Sequence, residues 1–174
     1  MLMVHAGQAT DDLIDQLIPL LDKGDVLIDG GNAYYLDTEK RINLLKKWGI
    51  HFIGSGVSGG EEGALKGPSI MPGGSIEGYQ LIQPFFKKIA ATNNKGINCC
   101  NYIGAGGAGH FVKMVHNGIE YAEMQLLAEL VQFLKITAGF TNDLIALLLH
   151  PFLQTEKTSY LLEITIQILQ KKWK

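Results

Sequence analysis

The chain has 174 residues, 47% of them hydrophobic and 18% charged, with a formal net charge of −2. That length holds one ordinary domain, or one domain and part of a second, around a sizeable core. The composition argues against a basic nucleic-acid-binding surface and against a disordered acidic tail.

In chain order, Leu2 to Val4 reads as a short buried strand that begins without a preceding turn or cap. Thr10, Asp11 and Asp12 start a helix whose apolar stripe is Leu13, Ile14, Leu17, Leu20 and Leu21, and which ends near Gly24. Val26 to Ile28 is a second strand, closed by Asp29, Gly30 and Gly31. A helix from about Asp37 to Trp48 follows, stopped by Gly49. Ile50 to Ile53 is a third strand, running into the loop Gly54-Ser55-Gly56-Val57-Ser58-Gly59-Gly60. Ser69 to Met71 forms a further strand ending in Pro72-Gly73-Gly74, then come a helix from Ile76 to Ile89 and a last strand around Tyr102 and Ile103. Strands alternating with helices of this length predict βαβ units and a parallel sheet. Ligands collect at the loops after the strands of such sheets.

From Gly107 the pattern changes to one long helix, His110 to about Ala138, with further helices at Asn142 to Leu149 and Tyr160 to Gln170. The glycine-rich stretch Gly104 to Gly109 reads as a hinge into it. The longest apolar run, Leu144 to Leu149, is far short of the ~20 residues a membrane span needs. Met1 to Val4 lacks the basic flank and length of a signal peptide. Cys99 and Cys100 are adjacent, which suits neither a disulfide framework nor a zinc site, so a reduced, cytoplasmic setting is expected.

The chemistry concentrates in Gly109-His110-Phe111-Val112-Lys113-Met114-Val115-His116-Asn117-Gly118-Ile119-Glu120-Tyr121. On a helix Lys113, His116, Asn117, Glu120 and Tyr121 fall at i, i+3, i+4, i+7 and i+8 and share a face. A lysine, a histidine, an amide, a carboxylate and a phenol over two turns can bind a polyhydroxylated acid and move its protons. They can equally form a solvated face, and spacing does not separate the two. The second segment is Gly54 to Ala64, a glycine-rich turn after a strand, whose exposed N–H groups can hold a carboxylate or phosphate; alone it is equally a tight connection.

Together these stretches resemble the 6-phosphogluconate dehydrogenase family. The resemblance rests on Ala6-Gly7-Gln8, Ile28-Asp29-Gly30-Gly31-Asn32, Gly54 to Ala64 continuing into Gly67-Pro68-Ser69-Ile70-Met71-Pro72-Gly73-Gly74, and Gly107 to Tyr121. It runs from about residue 4 to residue 135, with a weaker echo at Leu161 to Thr165. It implies an α/β fold: a partial Rossmann-like, doubly wound parallel sheet over residues 1–105 that binds NADP, followed over 106–174 by the beginning of an all-helical domain.

In that family NADP oxidises the substrate to a β-keto acid, which loses carbon dioxide and is reprotonated to ribulose 5-phosphate, a step of the pentose phosphate pathway. By resemblance, Lys113 is the general base at the 3-hydroxyl, needing a neutral amine, and then polarises the ketone, so that no metal is required. Glu120 is the acid that protonates the enediol carbon. Asn32, Ser58, Gly59, Gly60, His116 and Asn117 hold 6-phosphogluconate, and Tyr121 touches its phosphate. Val4, His5, Ala6 and Asn32 lie along the cofactor, Asn32 being shared; His5 stands where the family usually has lysine.

The resemblance also implies what is missing. The family's first strand, its G-x-G-x-x-G turn and the arginine-bearing loop that selects NADP have no counterpart here, so the chain is expected to be truncated at both ends. The tail departs as well, with His150-Pro151-Phe152 in place of the family's tryptophan-asparagine segment and Lys171 to Lys174 ending it. Family members are homodimers whose partner lends an arginine and a histidine. Open apolar patches predict association of the chain with itself or with a partner. The competing readings are a dehydrogenase of a smaller 3-hydroxy acid and an inactive remnant or interaction module.

Overall fold

The computed structural model of the chain describes residues 1–93, 95–156 and 158–171. It divides into two compact units, Met1–His116 and Asn117–Lys174. The last three tail residues, 172–174, lie outside the described residues.

The first unit is built on three strands, β1 (Val26–Asp29), β2 (His51–Ser58) and β3 (Ser69–Gly74), in that spatial order. Four helices accompany them: α1 (Gln8–Leu17), α2 (Tyr35–Lys46), α3 (Gly60–Lys66) and α4 (Ile76–Ile89). β1 and β2 run parallel, with Asp29 opposite Gly54. Leu2 adds a bridge beside β1, its N–H donating to the Ile28 carbonyl and its carbonyl accepting from Gly30.

The α/β, Rossmann-like class stands, but one pairing differs from the all-parallel expectation: β3 runs antiparallel to β2, Ser58 pairing with Ser69. Only residues 59–68 join them, too few for a parallel crossover of a dozen or more. The stretch around Tyr102 is a bridged segment, not a continuous strand. It contacts β3 in parallel sense at Ile70–Cys100 and Gly73–Gly104.

Two apolar clusters sandwich the sheet. Ile14, Leu27, Leu45, Ile50 and Phe52 pack α1 and α2 on one side, while Ile28, Ile53, Ile70, Tyr79, Phe86 and Cys100 pack α4 on the other. Each fully buried side chain of this size contributes about 1.5–3 kcal/mol of transfer free energy. Ser75 caps α4, its hydroxyl oxygen accepting from the Gly78 N–H.

A long helix, α5 (Ala108–Ala138), starts in the first unit and continues in the second. There α6 (Asn142–Leu149) and α7 (Tyr160–Gln170) follow, capped by Thr141 and Ser159. Ile145, Ala146, Leu149, Leu162, Ile166 and Leu169 form their core, with Leu127, Val131 and Leu134 of α5 against it. Leu126, Phe133, Ile136 and Leu147 are exposed. No helix of the described residues is long and apolar enough to cross a membrane.

Candidate functional site

The expected loop after the third strand proves to be mostly strand, since β2 continues through Ser58. Glycine within a strand marks a close approach of other backbone, and here that approach comes from α5. A Cβ at Gly54 would meet Thr38 and the His110 ring, and one at Gly56 would overlap the Lys113 Cβ. A Cβ at Gly73 would strike the Gly109 N, and one at Gly109 would strike the carbonyls of Gly54 and Met71. Gly107 lies equally close to the Tyr35 carbonyl. The stretch read as a hinge is therefore, at Gly107 and Gly109, a packed seat.

That seat places Lys113. Its side chain lies over Gly56 and is only 8% exposed. Side chains two apart on a strand share a face and stand about 7 Å apart, so Ser58 projects on the same face of β2 as Gly56. Gly59 and Gly60 follow with φ of 139° and 56°, conformations that favour glycine, and turn the chain into α3. Ser58, Gly59 and Gly60 also line a cleft of about 780 Å³ whose walls include Gly30, Lys66 and Lys88.

The remaining ligand-facing candidates of this unit lie at neighbouring strand ends. Val4, His5 and Ala6 follow the Leu2 bridge, half-buried at Val4 and exposed at His5 and Ala6; Asn32, also exposed, follows β1. His116 closes the first unit. Asn117, Glu120 and Tyr121 belong to the second and continue along α5, with Asn117 and Glu120 half-buried and Tyr121 exposed.

Sequence reasoning missed the polar groups beneath these loops. His110 is 1% exposed, its Nδ1 hydrogen-bonded to Thr38 Oγ1 at 2.7 Å. Burial pushes its pKa below the ordinary value, Asp29 opposing and Arg41 adding to the effect. Asp29 and Arg41 are themselves buried and paired, Nη1 to Oδ2 at 3.4 Å. The available signal was the stripe Thr38, Arg41 and Leu45 at i, i+3 and i+7 of α2, two polar residues on the buried face.

The sheet with helices on both faces, followed by the long helix, defines a class: a Rossmann-like fragment leading into a helical region. Residues 1–104 match the family model for the NAD-binding domain of 6-phosphogluconate dehydrogenase, and residues 109–174 match the model for its C-terminal domain. The chain belongs to the 6-phosphogluconate dehydrogenase family.

Over 172 residues, 99% of this chain, it is 55% identical to the decarboxylating 6-phosphogluconate dehydrogenase of Escherichia coli and 52% identical to that of Aggregatibacter actinomycetemcomitans. It spans 37% and 36% of their lengths, about a third of each relative. The solved 6-phosphogluconate dehydrogenase of Plasmodium falciparum, described in its apo form and in complex with NADP+ and with 6-phosphogluconate, superposes with a TM-score of 0.91 at 40% identity over 97% of this chain and 36% of that one. A 3-hydroxyisobutyrate dehydrogenase from Salmonella typhimurium shares the fold, with a TM-score of 0.74 at 21% identity over 95% of this chain and 55% of that one.

Proposed function

We propose that the chain carries the substrate-facing and nicotinamide-facing part of an NADP-dependent 6-phosphogluconate dehydrogenase, which oxidises and decarboxylates 6-phosphogluconate to ribulose 5-phosphate and CO2. The observation that supports this most is the buried seat of Lys113 over Gly56, on the face of β2 that presents Ser58. Residues 1–105 serve as the nucleotide-binding part and 106–174 as the beginning of the helical domain.

The residues at the strand ends fit the nicotinamide end of a dinucleotide. His5, Ala6 and Asn32 are open to solvent. The Thr10 hydroxyl donates to the His5 carbonyl at 2.9 Å, and Arg41 donates to the Gly7 carbonyl at 3.1 Å, so the loop is held from below. Val4, His5, Ala6 and Asn32 would hold NADP, which when bound supplies the hydride acceptor.

Lys113, as an uncharged amine, takes the proton of the substrate's 3-hydroxyl, and the ammonium so formed hydrogen-bonds the ketone oxygen while CO2 leaves. Glu120 delivers the proton to the carbon left behind. Asn32, Ser58, Gly59, Gly60, His116 and Asn117 orient the sugar acid, and Tyr121 reaches its phosphate. The working form is a cytoplasmic homodimer, a compartment consistent with the free thiols of Cys99 and Cys100.

The test follows NADP reduction by the purified chain with 6-phosphogluconate, beside a Lys113→Met control. Expected is turnover that falls roughly 10²–10⁴-fold in the variant, the range removed with a positioned general base. A folded chain that neither turns over nor binds either ligand overturns the reading in favour of a non-catalytic interaction module. Preference for a smaller 3-hydroxy acid would redirect the substrate assignment alone.

A further inference from the structure

Arg41 is almost wholly buried, at 3% exposure, and takes no part in the proposed chemistry. Its guanidinium nevertheless reaches in three directions. Nε donates to Asp11 Oδ1 at 2.7 Å, Nη1 to Asp29 Oδ2 at 3.4 Å and Nη2 to the Gly7 carbonyl at 3.1 Å. Asp29, fully buried, uses its other oxygen to accept from the Gly31 N–H at 3.0 Å, one residue before Asn32.

We infer that Arg41 is a positioning residue that ties the Val4–Gly7 loop to the Asp29–Asn32 turn and so sets the spacing of the groups facing cofactor and substrate. This rests on the assignment of Val4, His5, Ala6 and Asn32 proposed above.

Two features separate this role from plain fold stability. A buried ion pair is a poor stabiliser, since desolvating both charges costs as much as their attraction returns, and an apolar pair of like volume often does as well. The apolar cluster of Ile14, Leu27, Leu45 and Phe52 shows that such packing is available nearby. Moreover, the contact to Gly7 is to a backbone carbonyl at the end of the loop. That carbonyl also accepts from the N–H groups of Thr10 and Asp11, so Arg41 pins the point where the loop enters α1. The planar fork serves three acceptors at fixed angles, which a lysine ammonium on a flexible stem does not reproduce.

The test compares the full chain with its Arg41→Lys variant, which keeps a cation beside Asp29, by site-resolved amide hydrogen exchange. Expected is exchange faster by about tenfold or more at Thr10, Asp11 and Gly31, the signature of local opening, with Leu27, Phe52 and Ile53 unchanged. Equal acceleration in the strands, or none at the loops, overturns the inference. Should Arg41→Lys fail to fold, Asp11→Asn loosens the fork from its partly exposed side and is read by the same amides.

A second arm titrates NADP and 6-phosphogluconate and follows the Ala6 and Asn32 amides. Weaker NADP binding in Arg41→Lys than in the unaltered chain supports positioning; equal binding overturns it. If the unaltered chain responds to neither ligand, the proposed function falls, while the exchange arm still decides the role of Arg41.

Discussion

The two ends of α5 are held by opposite means. Its start sits closely on β2 and β3: Gly109 lies on the backbone of Gly54, Met71 and Gly73 with no side chain between, and His110 and Lys113 rest directly on Gly54 and Gly56. Beyond Asn117 the same helix packs through Leu127, Val131 and Leu134 against the leucines and isoleucines of α6 and α7. A backbone contact fixes position to the precision of van der Waals touch, because nothing in it can change rotamer. Interdigitated aliphatic side chains give more burial and tolerate repacking. The first kind of contact lies under the lysine assigned to proton transfer; the second stabilises the helical unit. Placement and stability are thus divided along one helix.

The largest expected effect tests the stabilising end. Ile145 is fully buried in the second unit, so Ile145→Ala should cost about 2–5 kcal/mol, the range for deleting buried aliphatic groups. A lowered urea midpoint checks it, and a loss below 1 kcal/mol would show that the helical core is not packed as described. Next comes the seat. Gly109→Ala places a methyl against the carbonyls of Gly54 and Met71 and the N–H of Gly73, none of which is a flexible end. Overpacking of this kind costs about 1–3 kcal/mol. It should also move Lys113 off Gly56, so the rate of amine modification at Lys113 should rise with the loss of stability. An unchanged rate would break the link between seat and lysine.

How much of this was visible beforehand follows from the same contrast. α4, α6 and α7 fall within their expected bounds, because apolar stripes and Ser or Thr caps are local signals. The face shared by Lys113, His116, Asn117, Glu120 and Tyr121 was legible for the same reason. The burial of Lys113 was not, since its partner Gly56 lies more than fifty positions away. Glycines in Gly54-Ser55-Gly56 read as a turn because sequence shows their flexibility and not the helix that approaches them. Arg41 was hidden because a lone charge on a helix reads as solvated; only its register with Thr38 and Leu45 betrayed it. The direction of β3 is signalled by the short connection 59–68, too brief for a parallel crossover, a signal that the βαβ rhythm masks.

A third, smaller effect belongs to the placing end. His110 is held neutral by burial, with its pKa below the ordinary 6.5, so the unfolded chain takes up a proton that the folded chain does not. Its contribution to stability is therefore complete above the unfolded value and is lost as pH falls below it. The slope for one such proton is at most about 1.4 kcal/mol per pH unit. Asp37, Glu62 and Glu77 also have lowered pKa values, chiefly through hydrogen bonds from Lys40, from Lys66 and from the Glu77 backbone N–H. They lose their contribution only within and below the carboxylate range, so urea midpoints taken between about pH 7.5 and about pH 5 leave them out. His110→Gln should flatten that dependence. A slope equal in both proteins would mean that protonation of His110 is tolerated in the fold.

The smallest effect carries the sharpest comparison, because it uses the same substitution on the same helix. Gly118 lies in α5 beyond the seat, and a Cβ there meets nothing within 4 Å. Gly118→Ala should therefore stabilise the chain by about 0.5–1 kcal/mol, the helix-propensity gain of alanine over glycine. Gly109→Ala, nine positions earlier, gains the same propensity and loses more to collision, so the two variants should shift the urea midpoint in opposite directions. If both destabilise, a face of α5 near Gly118 is as closely covered as the seat, and the division between a placing end and a stabilising end moves toward the C-terminus. If both stabilise, the strand backbone yields to the new methyl, and glycine at 109 is not what sets the position of Lys113.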